Sequence, residues 1–229
     1  MTTDVCAIQA TGLCKAYDGL TILRNIRLHI TESECIALTG PNGSGKTTLL
    51  RCLAGAVRPT EGTVTWYGRA TRRSLNVRRL IGWVAHEPHV YPQLTVWENL
   101  VFAARMHDVS NPTHRAHQLI ENAGLQPCAD RLPLCISQGM RQRLAVIQAI
   151  VHEPGIVLMD EPFSGLDQQS RDWLVDLIRD LRRRQRAVCF TSHDANTWKR
   201  LATRVLRLQN GNLQEIGSGM RSYKPQPAA

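Results

Sequence analysis

A glycine-rich stretch early in the chain has the composition of a loop that wraps phosphate groups. It fits the pattern G-x-x-x-x-G-K-[ST] and consists of Gly40, Pro41, Asn42, Gly43, Ser44, Gly45, Lys46, Thr47 and Thr48. Glycine lets backbone N–H groups approach a polyphosphate closely. Lys46 supplies a positive charge between the β- and γ-phosphates, and the hydroxyl of Thr47 suits Mg²⁺. We therefore predict that this loop binds a nucleotide, with Lys46 acting in catalysis.

A second stretch places two carboxylates at the end of an apolar run. Residues 154–162 read Pro-Gly-Ile-Val-Leu-Met-Asp-Glu-Pro, which is the Walker B pattern. An apolar strand is needed to hold the acids at the carboxyl edge of a parallel sheet, beside the phosphate loop. We expect Asp160 to orient the Mg²⁺ shell and Glu161 to polarise the attacking water as general base.

The elements that must position these residues can be read from the sequence. Residues 35–39 form a short apolar run suited to a buried strand, and residues 48–54 have helical character, so the phosphate loop opens a helix whose dipole favours phosphate. Helices are predicted over residues 95–106, 113–123 and 168–184, with strands at 63–67, 80–85 and 187–191. A terminal hairpin is predicted around Asn210-Gly211-Asn212.

Residues 136–143, Ile-Ser-Gln-Gly-Met-Arg-Gln-Arg, resemble the signature Leu-Ser-Gly-Gly-Gln-x-Gln-Arg of ABC transporter ATPases. Ser137, Gly139, Gln142 and Arg143 match this motif, whereas Gln138 replaces its first glycine and Met140 its first glutamine. A serine hydroxyl and backbone N–H groups at a helix N-terminus can contact a γ-phosphate. The resemblance therefore implies that Ser137 and Gly139 bind nucleotide.

Other segments carry the same resemblance. Residues 164–167 resemble the D-loop, which runs across a dimer interface in this family, and Ser192-His193-Asp194 matches its histidine switch. His193 is therefore expected to hydrogen-bond the γ-phosphate and the water. Tyr17, in a predicted turn between strands at 5–13 and 22–30, stands where a family aromatic residue stacks on adenine. A tyrosine that only packs at a strand end is the alternative.

His86 replaces the glutamine that the family places in the loop before Leu94-Thr95-Val96. In the family this residue senses Mg²⁺ and the γ-phosphate and couples the site to the membrane partner. Histidine can still form a hydrogen bond, and it titrates near neutrality. We therefore predict a role for His86 at the metal and in coupling, against the alternative of a turn histidine without nucleotide contact.

The resemblance covers roughly residues 5–217 and implies an α/β fold. The expected architecture is a P-loop NTPase (RecA-like) core with an N-terminal antiparallel β-subdomain and an inserted α-helical subdomain. We expect a single ABC ATPase domain over 1–217, with the β-subdomain and core in 1–86 and 154–217 and the helical subdomain in 87–153. The remaining residues, 218–229, are rich in Gly, Ser and Pro and are expected to be a disordered tail.

Composition limits the class of protein. The chain is 43% hydrophobic, and no run approaches the roughly 18 apolar residues of a membrane helix. Its N-terminus lacks the cationic region of a signal peptide, so we expect a cytosolic location. Seven cysteines without a C-x-x-C pair indicate reduced, buried thiols and argue against a zinc site. The net charge of +9 fits a nucleic-acid partner, anionic lipid headgroups or a solvated face.

The resemblance implies hydrolysis of ATP with Mg²⁺ as cofactor. The implied partners are a second copy of the chain or a homologous ATPase subunit, which would sandwich two ATP molecules head to tail, and a polytopic membrane permease. The implied location is peripheral, on the cytoplasmic face of the inner membrane. His86 and the altered signature are similar to haem-exporter subunits of cytochrome c maturation and to ABC-2-type exporters. An importer is less expected because the sequence carries no long C-terminal regulatory domain.

The alternative function is a soluble ABC ATPase that acts on DNA or the ribosome. The basic charge would suit such a role. However, those proteins usually carry a long coiled coil or two tandem cassettes, and this sequence has neither sustained heptads nor an internal repeat. We therefore expect no direct nucleic-acid partner. A P-loop kinase or small GTPase would leave Ser137 and His193 unexplained.

Overall fold

The computed structural model of the 229-residue chain describes residues 5–70 and 79–217, and these residues form two β-sheets. The first sheet is antiparallel, with the order β2-β1-β4-β5, and comprises β1 (Cys6–Tyr17), β2 (Leu20–Thr31), β4 (Glu61–Trp66) and β5 (Arg69–Ala70). The second has the order β10-β9-β3-β8-β7-β6 and comprises β3 (Cys35–Thr39), β6 (Ile81–Val84), β7 (Ile156–Met159), β8 (Ala187–Thr191), β9 (Arg204–Gln209) and β10 (Asn212–Gly217). All neighbours in it are parallel except β10, which pairs antiparallel with β9.

The helices follow the strands of the second sheet in the chain. They are α1 (Lys46–Leu53), α2 (Val96–Met106), α3 (Pro112–Asn122), α4 (Gln138–Ile150), α5 (Gln168–Arg183) and α6 (Ala195–Leu201). Two 3₁₀ turns, Gln126–Cys128 and Pro133–Cys135, lie between α3 and α4. A side chain caps the N-terminus of each of α2 to α6 in the described chain, whereas α1 starts after Gly45 without one. The first N–H groups of α1 therefore stay available to a ligand.

The second sheet is buried on both faces, as its unbroken apolar strands predict. Side chains alternate along each strand, so Cys35 and Ala37 of β3 join one hydrophobic cluster and Ile36 and Leu38 the other. The first cluster is covered by α2 to α6, and the second contains α1 and the antiparallel sheet. This arrangement confirms the α/β architecture expected from the sequence.

The turn between β1 and β2 is shorter than the turn predicted from the sequence. Tyr17 pairs with Leu20 within the sheet, and only Asp18 and Gly19 form the turn, with φ of 47° and 81°. Two successive residues with positive φ are typical of a two-residue hairpin whose strands stay paired up to the turn. The prediction that places Tyr17 in the turn is therefore wrong, because the tyrosine ends β1.

Three further predictions concern the C-terminal tail, the burial of the cysteines and the absence of a membrane-spanning helix. The expected disordered tail at 218–229 lies outside the described residues, as do residues 1–4 and the basic residues within 71–78. Cys35, Cys52, Cys128 and Cys189 are buried, but Cys6 and Cys14 are only partly buried. The expectation of buried thiols is wrong for Cys135, which is exposed because its 3₁₀ turn lies at the surface. No helix within the described ranges has both the length and the apolar character to cross a membrane.

Candidate nucleotide-binding and hydrolysis site

A cleft of about 390 Å³ gathers most of the residues singled out in the sequence. Its lining comes from the end of β1, the start of β2, the phosphate loop with the start of α1, the segment after β6 and the end of β7. The lining residues are Tyr17, Ile22, Asn42, Gly43, Gly45, Lys46, Thr47, Thr48, His86 and Glu161. Both sheets therefore contribute to one site.

Two glycines of the phosphate loop are required by close backbone packing. Gly40 has a φ of 146°, and a Cβ atom there would lie 2.2 Å from the carbonyl oxygen of Leu208 in β9. Gly45 has a φ of 99°, and its Cβ would lie 2.8 Å from Cγ2 of Ile22. Any other residue would clash and be strained at both positions. The loop therefore takes its shape from its contacts with β9 and β2.

Lys46 lies over the loop that precedes it. Its Nζ donates hydrogen bonds to the carbonyl oxygens of Gly40 at 3.0 Å and Pro41 at 3.1 Å, and the residue is 6% exposed. Burial lowers the pKa of Lys46, and the nearby carboxylates of Glu161 and Asp160 oppose that shift. A phosphate in the cleft would meet this ammonium group and the uncapped N–H groups of α1 together.

Two buried oxygen atoms at the phosphate loop and the end of β7 have no hydrogen-bond partner among the residues that the structure describes. They are Oγ of Ser44 and Oδ2 of Asp160, and Asp160 is only 2% exposed. Buried polar atoms are normally paired, so these oxygens suit a ligand that brings charge into the site. Mg²⁺ prefers oxygen ligands and is usually held by one or two carboxylates together with substrate phosphates. Thr47 and Asp160 would hold Mg²⁺ here, where the ion would neutralise phosphate charge.

Thr191 joins the two carboxylates at the end of β7. Its Oγ1 donates to Oδ1 of Asp160 at 2.9 Å and accepts from the backbone N–H of Glu161 at 2.5 Å. Thr191 is fully buried at the end of β8. Thr191 was not among the residues predicted from the sequence, although a hydroxyl at the end of an apolar strand is a usable signal. Thr191 fixes the spacing of Asp160 and Glu161.

Glu161 and His193 form the pair of side chains that can act on water. His193 Nε2 lies 2.9 Å from Oε1 of Glu161, and both side chains are partly exposed. Because a carboxylate can only accept, the neutral imidazole must carry its proton on Nε2, which leaves Nδ1 as an acceptor. Glu161 has a φ of 48°, a conformation that non-glycine residues adopt mainly where the surrounding structure imposes it.

His86 and Tyr17 lie at the outer part of the cleft. His86 is exposed and lines the cleft. Tyr17 is 43% exposed, and Nζ of Lys15 lies 4.5 Å from the centroid of its ring. The ammonium group of Lys15 is attracted to the face of this ring and helps to fix its position. Their predicted roles at the metal and the adenine base stay predictions.

Asn99 holds the segment that follows His86 and was also missed from the sequence. This fully buried side chain donates from Nδ2 to the carbonyl oxygens of Tyr91, Leu94 and Thr95, at 2.8–2.9 Å. Its Oδ1 accepts from the N–H of Tyr91 at 2.8 Å. A buried asparagine inside an apolar helix is the sequence signal for such a role. Asn99 thereby fixes the loop to α2.

Ser137 and Gly139 lie outside the cleft of their own chain. Ser137 is exposed and caps α4, with Oγ accepting from the N–H of Met140 at 3.2 Å. Gly139 is buried, and a Cβ there would lie 2.8 Å from Oγ of Ser170 in α5. The structure therefore does not bring these two predicted nucleotide ligands to the phosphate loop within one chain.

A second cavity, of about 300 Å³, lies between β6, α2 and α4. The imidazoles of His107 and His152 stack in it with centroids 3.8 Å apart. Burial and the neighbouring His107 lower the pKa of His152 to about 4, and burial together with Arg79 lowers that of His107. Nδ1 of His152 and Oε1 of Gln148 are buried there without a hydrogen-bond partner in residues 5–70 and 79–217. The stacked pair is therefore kept neutral at physiological pH.

The fold and the cleft define a P-loop nucleotide-binding protein. The profile of the family described as ABC transporter matches residues 23–164. YxlF of Bacillus subtilis, named as an uncharacterized ABC transporter ATP-binding protein, is 36% identical over 208 residues, which are 90% of this chain and 69% of YxlF. CysA of Pseudomonas syringae pv. tomato, named as a sulfate/thiosulfate import ATP-binding protein, is 33% identical over 228 residues, which are 95% of this chain and 69% of CysA.

A solved structure is similar over nearly the whole chain. It is the dimeric post-hydrolysis state of the ATP-binding cassette MJ0796 bound to ADP and Pi, with a TM-score of 0.85 and 26% identity over 94% of this chain and 100% of that one. The chain therefore belongs to the ABC transporter family, as an ATP-binding subunit that hydrolyses ATP with Mg²⁺. This confirms the ATPase and cofactor predictions.

Proposed function

We propose that the cleft hydrolyses ATP by the concerted action of Lys46, Glu161 and His193, and that this hydrolysis drives transport through a separate permease. Water attacks the γ-phosphorus, the bond to the β–γ bridging oxygen breaks, and ADP and inorganic phosphate leave. Glu161 accepts the proton of the water, and Lys46 neutralises charge on the transferred group. The observation that carries this assignment is the Glu161–His193 contact of 2.9 Å beside the buried, unpaired Oδ2 of Asp160.

We infer that the active form is a head-to-tail dimer. Ser137 is exposed at the N-terminus of α4 but lies outside the cleft of its own chain, so it can only reach a phosphate that another subunit holds. The second subunit is a copy of this chain or a homologous ATPase subunit. The dimeric cassette that resembles this chain, with its bound ADP and Pi, supports the formation of a dimer.

We propose that the permease binds an apolar patch on α2 and the loop before it. Tyr91 is 50% exposed, Met106 65% and Phe102 37%, and the rings of Tyr91 and Phe102 meet at 4.9 Å. Val90, in the same loop, packs partly buried against the core and is a poor candidate. Exposed apolar groups grouped in this way are typical of protein interfaces. The patch belongs to the helical subdomain that we assign to residues 87–153 of a single domain over 1–217.

We propose export as the direction of transport, with haem for cytochrome c biogenesis as the cargo. The support is the sequence resemblance at His86, Gln138 and Met140. The import proteins named CysA support the opposite direction. Deletion of the gene, followed by staining of membranes for covalently bound haem, distinguishes haem export from import. Loss of c-type cytochromes supports haem export, and unchanged levels contradict it.

Copurification tests the transporter assignment and its location at the cytoplasmic face of the inner membrane. The affinity-tagged chain is isolated from membranes solubilised in mild detergent with ATP and vanadate. A polytopic membrane protein should copurify, and a Tyr91→Ser/Phe102→Ser double variant should lose it. Ile216→Ser, which changes an exposed apolar residue on the edge strand β10, is the control. Recovery of only ribosomal proteins or nucleic acid would contradict the proposal and favour the soluble alternative.

A further inference from the structure

The side chain of Gln138 lies against the loop that follows Glu161. A Cβ atom added at Gly165 would lie 2.7 Å from Nε2 of Gln138 and 3.2 Å from its Cδ. Those distances place the end of the exposed Gln138 side chain directly over the Gly165 backbone, and a side chain at position 165 would push this flexible amide aside. Gly165 also has a φ of 67°, which favours glycine. The absence of a side chain at position 165 therefore leaves room for the amide of Gln138.

This contact belongs to a larger junction between the N-termini of α4 and α5. Arg143 Nε donates to Oγ of Ser170 at 3.2 Å, and the N–H of Ser170 donates to Oδ1 of Asp167 at 2.7 Å. Arg143 is 8% exposed and Ser170 2%. Gly139 also packs on Ser170. Arg143, Gly139 and Ser170 form a buried, hydrogen-bonded contact between α4 and α5, and Gln138 and Gly165 lie at its exposed edge. A shift of the start of α4 is therefore transmitted to the start of α5 and to the loop at 164–167.

The same loop is attached to the catalytic base. Ser164 donates its N–H to the carbonyl oxygen of Glu161 at 3.1 Å, and Gly165 is the next residue. Ser137, which caps α4, immediately precedes Gln138. A continuous path of covalent and packing contacts therefore runs from the exposed hydroxyl of Ser137, through Gln138 and Gly165, to Glu161.

We propose that Gln138 is a positioning residue that makes the placement of Glu161 depend on nucleotide bound by a second subunit. When Ser137 binds the γ-phosphate held by the partner, the start of α4 is fixed, and Gln138 then fixes the loop at 164–167. A glycine at position 138 has no side chain and cannot make this contact. This inference rests on the proposed dimer and concerns how its two sites are coupled.

The first test compares steady-state hydrolysis by the wild type and by Gln138→Ala. Coupling energies between residues in contact correspond to roughly twofold to a hundredfold in a rate. We expect Gln138→Ala to lower kcat about threefold to thirtyfold and to reduce the Hill coefficient for ATP, with ATP affinity of the isolated subunit unchanged. Gln138→Met, which keeps the length of the side chain, should restore most of kcat. Gln118→Ala, on the exposed face of α3, is the matched control.

A double-variant cycle tests the contact itself. Gly165→Ala introduces backbone strain and pushes the amide of Gln138 aside, so the contact is already lost when Gln138→Ala is added. The loss of kcat in the double variant should therefore be smaller than the product of the two single losses. Strict multiplicativity, or a Gln138→Ala enzyme with wild-type kcat and Hill coefficient, would overturn the inference.

A measurement of dimer formation distinguishes a failure of this inference from a failure of the proposed function. Size-exclusion chromatography of Glu161→Gln with ATP reports whether the sandwich forms at all. Absence of a dimer there contradicts the proposed function, on which the inference depends. A dimer that forms while Gln138→Ala hydrolyses ATP like the wild type leaves the proposed function intact and refutes the role of Gln138.

Discussion

Thr191 controls the spacing of the two carboxylates through a single buried hydroxyl. Thr191→Val keeps the shape of the side chain but leaves the N–H of Glu161 without its partner. Because unpaired buried groups are costly, we expect the free energy of unfolding to fall by about 1–3 kcal/mol and kcat to fall further than ATP affinity. Urea denaturation and steady-state kinetics measure the two effects.

Thr203→Val is the matched control for that prediction. The hydroxyl of Thr203 also makes two hydrogen bonds, accepting from the N–H of Cys35 at 3.1 Å and donating to its carbonyl oxygen at 3.0 Å, but neither involves Asp160 or Glu161. We expect a comparable loss of stability with kcat retained in the folded fraction. Equal losses of kcat in both variants would mean that Thr191 is only a structural residue.

Glu161 is expected to be the general base of hydrolysis. Its negative charge should therefore be needed for turnover but not for binding ATP. Glu161→Gln keeps the side-chain shape and removes the proton acceptor, so turnover should fall at least about a hundredfold while ATP still binds. Phosphate release measures turnover, and fluorescence of a bound ATP analogue measures affinity. Glu121→Gln, on the exposed face of α3, is the control. Wild-type turnover in Glu161→Gln would remove the base assignment.

Motif residues were easier to predict than the residues that hold them. Lys46 and Glu161 lie together in one cleft because their motifs place them after parallel strands, and that relation follows from sequence order. Thr191 acts through hydrogen bonds to residues 30 and 31 positions away, and Asn99 acts by holding an irregular loop 4–8 residues before it, so both roles depend on the folded path of the chain. A buried hydroxyl or amide has no local pattern that names its partner.

Among the elements, the longer helices with side-chain caps were the most predictable. The sequence places Thr95 before an apolar helix with Glu98 three residues on, and the structure has the full capping box there. The short strand β5 and helix α6 were missed, since neither is long enough to show a period. Their positions depend on pairing with β4 and on packing beneath the second sheet.

The stacked histidines join α2 to the end of α4 and to β6, since Nε2 of His152 contacts the carbonyl oxygen of Ile81 at 3.3 Å. Arg79, paired with Asp108, is the neighbouring charged group. The pKa of His152 falls from 6.5 to about 4 on folding, so the folded chain binds this proton less readily than the unfolded chain. The stability that this neutral group contributes is present above pH 6.5 and is lost as the pH falls towards 4.

We therefore expect chemical denaturation to show a loss of stability between pH 6.5 and 4 that His152→Gln reduces. Glutamine stays neutral over that range, and its amide can still donate to Ile81. His114→Gln, on the exposed face of α3, controls for the loss of a histidine as such. An identical pH profile in His152→Gln and the wild type would contradict the assignment of this step to the stacked pair.

At the scale of the whole molecule, Ser137 of the signature motif should contact nucleotide only when two chains form a dimer. Ser137→Ala removes the cap of α4 and costs about 1 kcal/mol of stability, and Thr95→Ala removes the cap of α2 at a similar cost. In the Glu161→Gln background with ATP, Ser137→Ala should weaken the dimer, whereas Thr95→Ala should not. Analytical ultracentrifugation measures both. A dimer that both variants weaken equally would assign the loss to helix stability instead.

The close packing of Gly40 against Leu208 has a consequence for synthesis of the chain. β3, which leads into the phosphate loop, lies between β8 and β9, and the N–H of Arg24 donates to the carbonyl oxygen of Gly211 at 2.8 Å. The ribosome makes the complete phosphate motif about 160 residues before β9 is finished, an interval of roughly 10–30 s at typical elongation rates. ATP stabilises only the folded state, and the phosphate loop takes its folded shape against β9. During this interval the nascent chain therefore gains no stability from binding ATP.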